Sequence, residues 1–295
     1  MLSNVFSIVS ATLMYSTPLI LGALGGVISE RAGIVNVGIE GMMTFVAFIG
    51  AAVGFHFQNP WLGLLAGGAA GAFLAFLHAV ATISFKADQT ISGMALNFIG
   101  PGLSLFLCRL FFNDQTTTYR VENKLPRLFG TVDITVIFAL LITLLLWFVL
   151  YKTKWGLRIR AVGEHPAAAE TLGISVSHVR YGSVVFSGVL AGIGGATMTL
   201  AVLAQFTPTA ISGQGFIALA AVIFGKWTPF GAYLACLLFA FAQAFAVTLG
   251  GGQIAIPSEF LSMFPYVLTI VILVLFVGKS IAPRASGQPY EKGSR

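Results

Sequence analysis

Charge is scarce in this sequence: Asp, Glu, Lys and Arg together make up 9% of its 295 residues, against about 25% in a soluble domain. Too few remain to coat a water-facing surface. Cysteine is scarcer still. Cys108 and Cys236 stand singly in apolar segments with no CxxC or Cys/His spacing, which excludes a disulfide framework and a thiolate metal site and leaves both as small hydrophobes. HExxH, GxSxG and paired-carboxylate patterns are missing, and His56, His78, His165 and His178 are scattered without ligand spacing, so neither an enzyme nor a metal site is expected. Gly278-Lys279-Ser280 looks like the end of a phosphate-binding loop, but Leu273 stands where that loop requires glycine. A net charge of +6 would suit nucleic acid, yet the charges follow the ends of apolar stretches, so membrane lipid and not nucleic acid is the expected partner.

What the sequence has is hydrophobic residues, 57% of the chain, gathered in runs of about 20 that match a hydrocarbon core roughly 30 Å thick. Candidate spans are Val5–Ile28, Ile39–Phe57, Trp61–Phe85, Ile91–Phe112, Ile134–Tyr151, Tyr181–Leu203, a short seventh over Phe216–Phe224 that could span or re-enter, Phe230–Leu249 and Phe260–Val277. In lipid a backbone must satisfy its own hydrogen bonds, and the runs lack the alternation of a barrel. The expected fold class is therefore all-α, a polytopic bundle of about eight to nine spans forming one membrane domain over residues 1–295. Met1–Ala11 carries no Lys or Arg and the following run lacks a cleavage site, so no removable signal peptide is expected.

The basic residues orient the bundle. With the amino terminus outside, Arg31, Lys86, Lys152, Lys154, Arg158, Arg160, Arg180, Lys226, Lys279, Arg284, Lys292 and Arg295 fall inside, and only Arg109, Arg120, Lys124 and Arg127 fall outside. The positive-inside rule favours this arrangement, with a cytoplasmic tail from residue 278. Pro18, Pro101 and Pro265 interrupt apolar runs and favour kinks. Gly63, Gly67 and Gly71, and Gly188 and Gly192, recur every four residues, a spacing that lets helix backbones approach closely.

The spans lack the central charges that ion coupling uses, which weighs against a secondary carrier. Between the first two spans runs a Gly-rich stretch from Glu30 to Gly41. Irregular backbone at membrane depth is tolerated beside protein or a water-filled cavity, which makes Asn36 and Glu40 candidates for a pathway lining; the other reading is that Glu40 complements the positive end of the second helix. Asn97, Gln205, Thr207 and Gln243 are neutral polar groups that could contact an uncharged solute such as a sugar or nucleoside, or bond to one another.

The loop from Lys152 to Arg180 holds His165-Pro166-Ala167-Ala168-Ala169-Glu170-Thr171-Leu172-Gly173. Proline at a first helical position, good helix formers and a closing glycine predict a helix of about two turns. So short a helix is marginal alone; it leans on the spans or a partner protein, or rests on headgroups.

Glu30 to Met43, Asp88 with Ile91-Ser92-Gly93 and Asn97, Gly156 with Arg160-Ala161-Val162-Gly163-Glu164, Pro166, Ala168-Ala169 and Gly173-Ile174, and Gly213 with Gly215 to Gly225 together resemble the permease subunits of bacterial ATP-binding-cassette importers in the branched-chain amino acid, ribose and nucleoside group. The resemblance is greatest to the shorter of the two paired nucleoside permeases. It implies a nucleoside importer in the cell (inner) membrane, with a simple-sugar permease of ribose or galactose type as the alternative and an ion-coupled carrier behind both. It also implies a second, nonidentical permease, an ATPase subunit with two nucleotide-binding domains that holds the ATP and Mg, and an extracytoplasmic binding lipoprotein; this chain itself binds no cofactor. By the same resemblance Gly163, Glu164, His165, Pro166, Ala168, Ala169 and Gly173 lie at or near a coupling helix docked on the ATPase, and Asn36, Glu40 and Asn97 near the translocation path. His165, where asparagine is common, and Lys226, where another glycine is common, depart from the pattern.

Overall fold

The computed structural model describes residues 2–128, 132–250, 263, 267, 268, 270, 271 and 281–291. The apolar runs become helices α1 (Leu2–Arg31), α2 (Ile39–His56), α3 (Pro60–Ala79), α4 (Gln89–Phe111), α5 (Ile134–Lys152), α8 (Val176–Thr197) and α10 (Pro229–Gly250). Single π-helical segments, Val80–Ser84 and Met198–Leu203, extend α3 and α8. Among the described residues seven helices are long and apolar enough to cross a membrane. The expected ninth span, Phe260–Val277, falls largely outside the described residues. The one sheet described is a hairpin of two-residue strands, β1 (Arg127–Leu128) and β2 (Val132–Asp133).

Local chemistry sets several helix starts. The Asn59 side chain accepts from the Trp61 N–H with Pro60 in the first turn, Asp88 accepts from Ile91, and Ser175 from His178, each satisfying an amide left over at a helix N-terminus. α1 and α4 run on through Pro18 and Pro101.

Packing follows side-chain size. Lipid is as apolar as leucine, so helices associate through close fit and not through hydrophobic exclusion. On α3, a Cβ at Gly67 would lie 2.8 Å from the Ala196 methyl, and one at Gly71 would meet the Gly188 carbonyl of α8. The predicted close approach therefore joins α3 to α8. α1 and α8 are the most enclosed spans, while α4 and α5 turn most of their residues outward.

Two faces can be told apart. On one, Arg31 reaches the carbonyls of Lys226 and Trp227, and Lys86 pairs with Glu291. On the other, Asn123 donates to the Gln58 carbonyl, and Thr118 and Val121 donate their N–H groups to the carbonyls of Phe206 and Ala204. α8 ends on this second face. The chain then descends without helix through 205–213, forms α9 (Gln214–Phe224), and emerges on the first face at Trp227, where its indole N–H donates to Glu30. Eleven residues of α9 cover about 16 Å, half the core. The short seventh segment is thus the helical half of a broken crossing.

The basic loop is largely helical. Thr153 caps α6 (Lys154–Glu164), whose buried face is Gly156, Ile159, Val162 and Gly163, and α7 (Pro166–Thr171) follows after His165. Arg180 is no loop charge: it lies inside α8 and is 2% exposed.

Candidate functional site

The bundle is breached at its centre by residues 32–38, which join α1 to α2 without helix. Backbone amides there have lost their helical partners and must find others. They find side chains from three helices. The Val35 N–H donates to Gln89 Oε1 at 2.7 Å, and the Val35 carbonyl accepts from His78 at 3.2 Å. Because that carbonyl can only accept, His78 carries its proton on Nε2 and takes the Ser92 hydroxyl on Nδ1, at 2.9 Å. Asn97 spans the upper breach, donating to the Val37 carbonyl at 3.0 Å and accepting from the Gly41 N–H at 2.8 Å. The Ser29 hydroxyl bonds the Ile34 carbonyl at 2.7 Å. Asn97 lies eight residues beyond Gln89 on α4, so the breach climbs about 12 Å into the membrane.

Asn36 is fully buried and donates to the Ser187 hydroxyl of α8 at 3.2 Å, while its Oδ1 has no partner among the described residues. Gln214 Oε1, also buried, is likewise unmatched among them. Glu40 lies just inside α2, but the helix it serves is α9: its two carboxylate oxygens accept from the Gly213 and Gly215 N–H groups, each at 2.7 Å. Gly213 can offer its amide there because it holds φ of 85°, a conformation glycine adopts without cost. A carboxylate at this point neutralises the positive end of the α9 dipole.

Asn36, Glu40 and Asn97 are therefore brought together around the breach. Gln205, Thr207 and Gln243 are half-buried, and no side-chain hydrogen bond links them to it among the described residues. Sequence reasoning missed His78, Gln89, Ser187 and Gln214. A solitary histidine in an apolar span, and a glutamine next to the Asp88 cap, were the available signals.

At the first face, Gly163 packs so closely that a Cβ would strike the Arg31 carbonyl. α7 starts at Pro166, and its exit turns on Gly173 at φ 77°. One residue of α7, Ala169, is buried, joining Val162 and Val176 in a small core that Tyr290 covers. His165, Ala167, Ala168, Thr171 and Leu172 are exposed, Leu172 to 79%. Glu164 and Pro166 are half-buried. Tyr290 donates to Glu170, and bonding to that carboxylate holds the phenol above its ordinary pKa. The Glu30 carboxylate, the Arg31 side chain and Trp227 form a second junction, fastening the end of α1 to the turn between α9 and α10.

This arrangement contains a short exposed helix on one face, a braced non-helical breach in the interior, and a half-length helix capped from the breach. Known proteins are similar to this chain along nearly its whole length. The guanosine ABC transporter permease protein NupQ of Bacillus subtilis is 46% identical, the alignment covering 98% of this chain and 97% of that one. The nucleoside ABC transporter permease protein NupC of Lactococcus lactis is also 46% identical, over 97% and 96% of the two chains. Among solved structures, a metal-chelate type ABC transporter in an inward-facing conformation shares the fold, with TM-score 0.54 and 19% identity over 90% of this chain and 85% of that one. The family described as the permease component of branched-chain amino acid transport systems matches residues 8–273, and the chain belongs to that permease family.

Proposed function

We propose that the chain is the permease subunit of an ATP-driven nucleoside importer, forming half of the translocation pathway and receiving the stroke of a cytoplasmic ATPase through α7. The observation that carries the coupling role is α7 itself. Six residues cannot sustain a helix in water, yet this one is built with a proline start and a glycine exit, and it presents Ala168 and Leu172 outward. The nucleoside assignment rests on the two relatives of near-equal length, and on neutral amides at and beside the breach: Asn36 Oδ1 and Gln214 Oε1, unmatched among the described residues, are acceptors suited to hydroxyls and base edges, and Asn97 stands beside them. Glu40 enters the pathway indirectly, by fixing α9, and Gln205, Thr207 and Gln243 would line its approaches. Gly163, Glu164, His165, Pro166, Ala168, Ala169 and Gly173 make or support the ATPase contact.

In this reading the face bearing α7 is cytoplasmic and the amino terminus is outside. A second, nonidentical permease completes the pathway, an ATPase subunit with two nucleotide-binding domains supplies ATP and Mg chemistry, and an extracytoplasmic lipoprotein delivers the solute. This chain holds no cofactor and hydrolyses nothing. ATP-driven closure of the ATPase moves α7, and differential contacts in the two states bias the bundle.

The test is uptake by the four components in proteoliposomes. Guanosine should accumulate with ATP, ribose should not, and Ala168→Glu should abolish uptake while ATP hydrolysis and assembly persist. Ribose uptake in place of guanosine would make it a sugar importer. Uptake by this chain without ATP under an ion gradient would make it a carrier.

A further inference from the structure

The segment 283–291 makes a series of contacts that neither the pathway nor α7 alone explains. One edge lies along α6 and α7. The Ala285 N–H donates to the Gly163 carbonyl at 2.9 Å, Arg284 lies 3.4 Å from His165 Nε2, the Tyr290 ring covers the Val162–Ala169–Val176 core, and its hydroxyl donates to Glu170. The other edge lies along the mouth of the breach. Glu291 pairs with Lys86 in the α3–α4 connection at 2.5 Å, the Gln288 carbonyl accepts from Arg180 of α8 at 3.2 Å, and the Ala285 carbonyl lies 3.1 Å from where a Gly33 Cβ would be.

Arg180 makes this arrangement chemically specific. A guanidinium at 2% exposure with Nε and Nη2 unmatched among the described residues is a costly group to bury. Its one hydrogen bond among the described residues is to the backbone of this segment. Gly33, whose φ of 88° no β-carbon would favour, lets both the guanidinium and the Ala285 carbonyl close over the start of the breach.

From this placement we infer that residues 283–291 are a fixed strut that positions α7 against the breach, so that displacement of α7 is delivered to residues 33–41 rather than lost in its own hinges at His165 and Gly173. The strut rests on the coupling role proposed for α7. It differs from a lid in staying fastened through the cycle: its bonds reach both bodies at once, and a segment that released would leave Arg180 without a partner.

The complete transporter in proteoliposomes, assayed for guanosine taken up per ATP hydrolysed, tests it. Tyr290→Phe combined with Arg284→Ala removes the side-chain contacts to Glu170 of α7 and to His165 just before it, and should lower that ratio by at least about fivefold, the effect of losing a single hydrogen bond, with ATP hydrolysis retained. Glu170→Cys with Tyr290→Cys should lower it likewise, and a short bifunctional methanethiosulfonate bridging the pair should restore it. Cys108 and Cys236 are buried, so the introduced thiols are the accessible ones. An unchanged ratio in the unbridged variants, or uptake stopped by the bridge, overturns the strut. Ala168→Glu separates the two ideas: if it uncouples while the strut variants do not, only the strut fails, and if neither does, the role of α7 fails with it.

Discussion

Glu40 shows how much one side chain holds in this bundle. Its two oxygens accept the Gly213 and Gly215 amides, and a bond to a charged acceptor contributes about 1.5–3 kcal/mol. Glu40→Ala should therefore destabilise the purified complex by about that amount or more, and Glu40→Gln, which keeps one acceptor, by roughly half as much. Thermal unfolding in detergent reads the difference, and equal midpoints for wild type and Glu40→Ala would remove Glu40 from the support of α9. From the sequence, Glu40 could be recognised as a carboxylate for a helix start. It could not be assigned to α9, because its partners lie 173 and 175 residues away and no spacing along the chain encodes that meeting. Asn97 was legible as a polar group in an apolar span, whereas its clamp on Val37 and Gly41 depends on how α4 leans on the breach.

Elements were legible in proportion to their regularity. α7 could be read because Pro166 and Gly173 mark its ends chemically. α6 was missed although Thr153 caps it and Gly156, Ile159 and Val162 recur on one face, since its charged residues outweigh that stripe. α9 was read as an ambiguous short run because the other half of its crossing, 205–213, has no periodicity to find. The glycines separate packing from flexibility at this scale. Gly102 of α4 has open space where a Cβ would go, and a Cβ on Gly71 of α3 would meet the Gly188 carbonyl. Gly102→Ala should stabilise the protein by about 0.5–1 kcal/mol through helix propensity alone. Gly71→Ala should cost about 1–3 kcal/mol by forcing two backbones apart. Melting midpoints that move in the same direction for both would refute the assignment.

For the whole molecule, the basic residues sort between its two faces. Arg31, Lys86, Lys226 and Arg284 all take part in contacts on the face of α7, while Lys124 and Arg127 sit with the 113–128 segment on the opposite face. That grouping was readable in the sequence, since it needs only span count and residue type. Arg180 was the exception, because its burial depends on the strut. Single cysteines at Gln58 or Asn123 should react with an impermeant maleimide in intact cells, and those at Lys86 or Thr171 only after the membrane is opened; the reverse pattern would invert the orientation. The interlocked glycines of α3 and α8 also bear on what can move. Their backbones touch at Gly67, Gly71, Gly188 and Gly192, where an added Cβ would strike the facing main chain or Ala side chains, so sliding one helix past the other would bring bulkier residues to a seam with room only for glycine. α3 and α8 must travel as one body, which leaves the transport stroke to the helices around them.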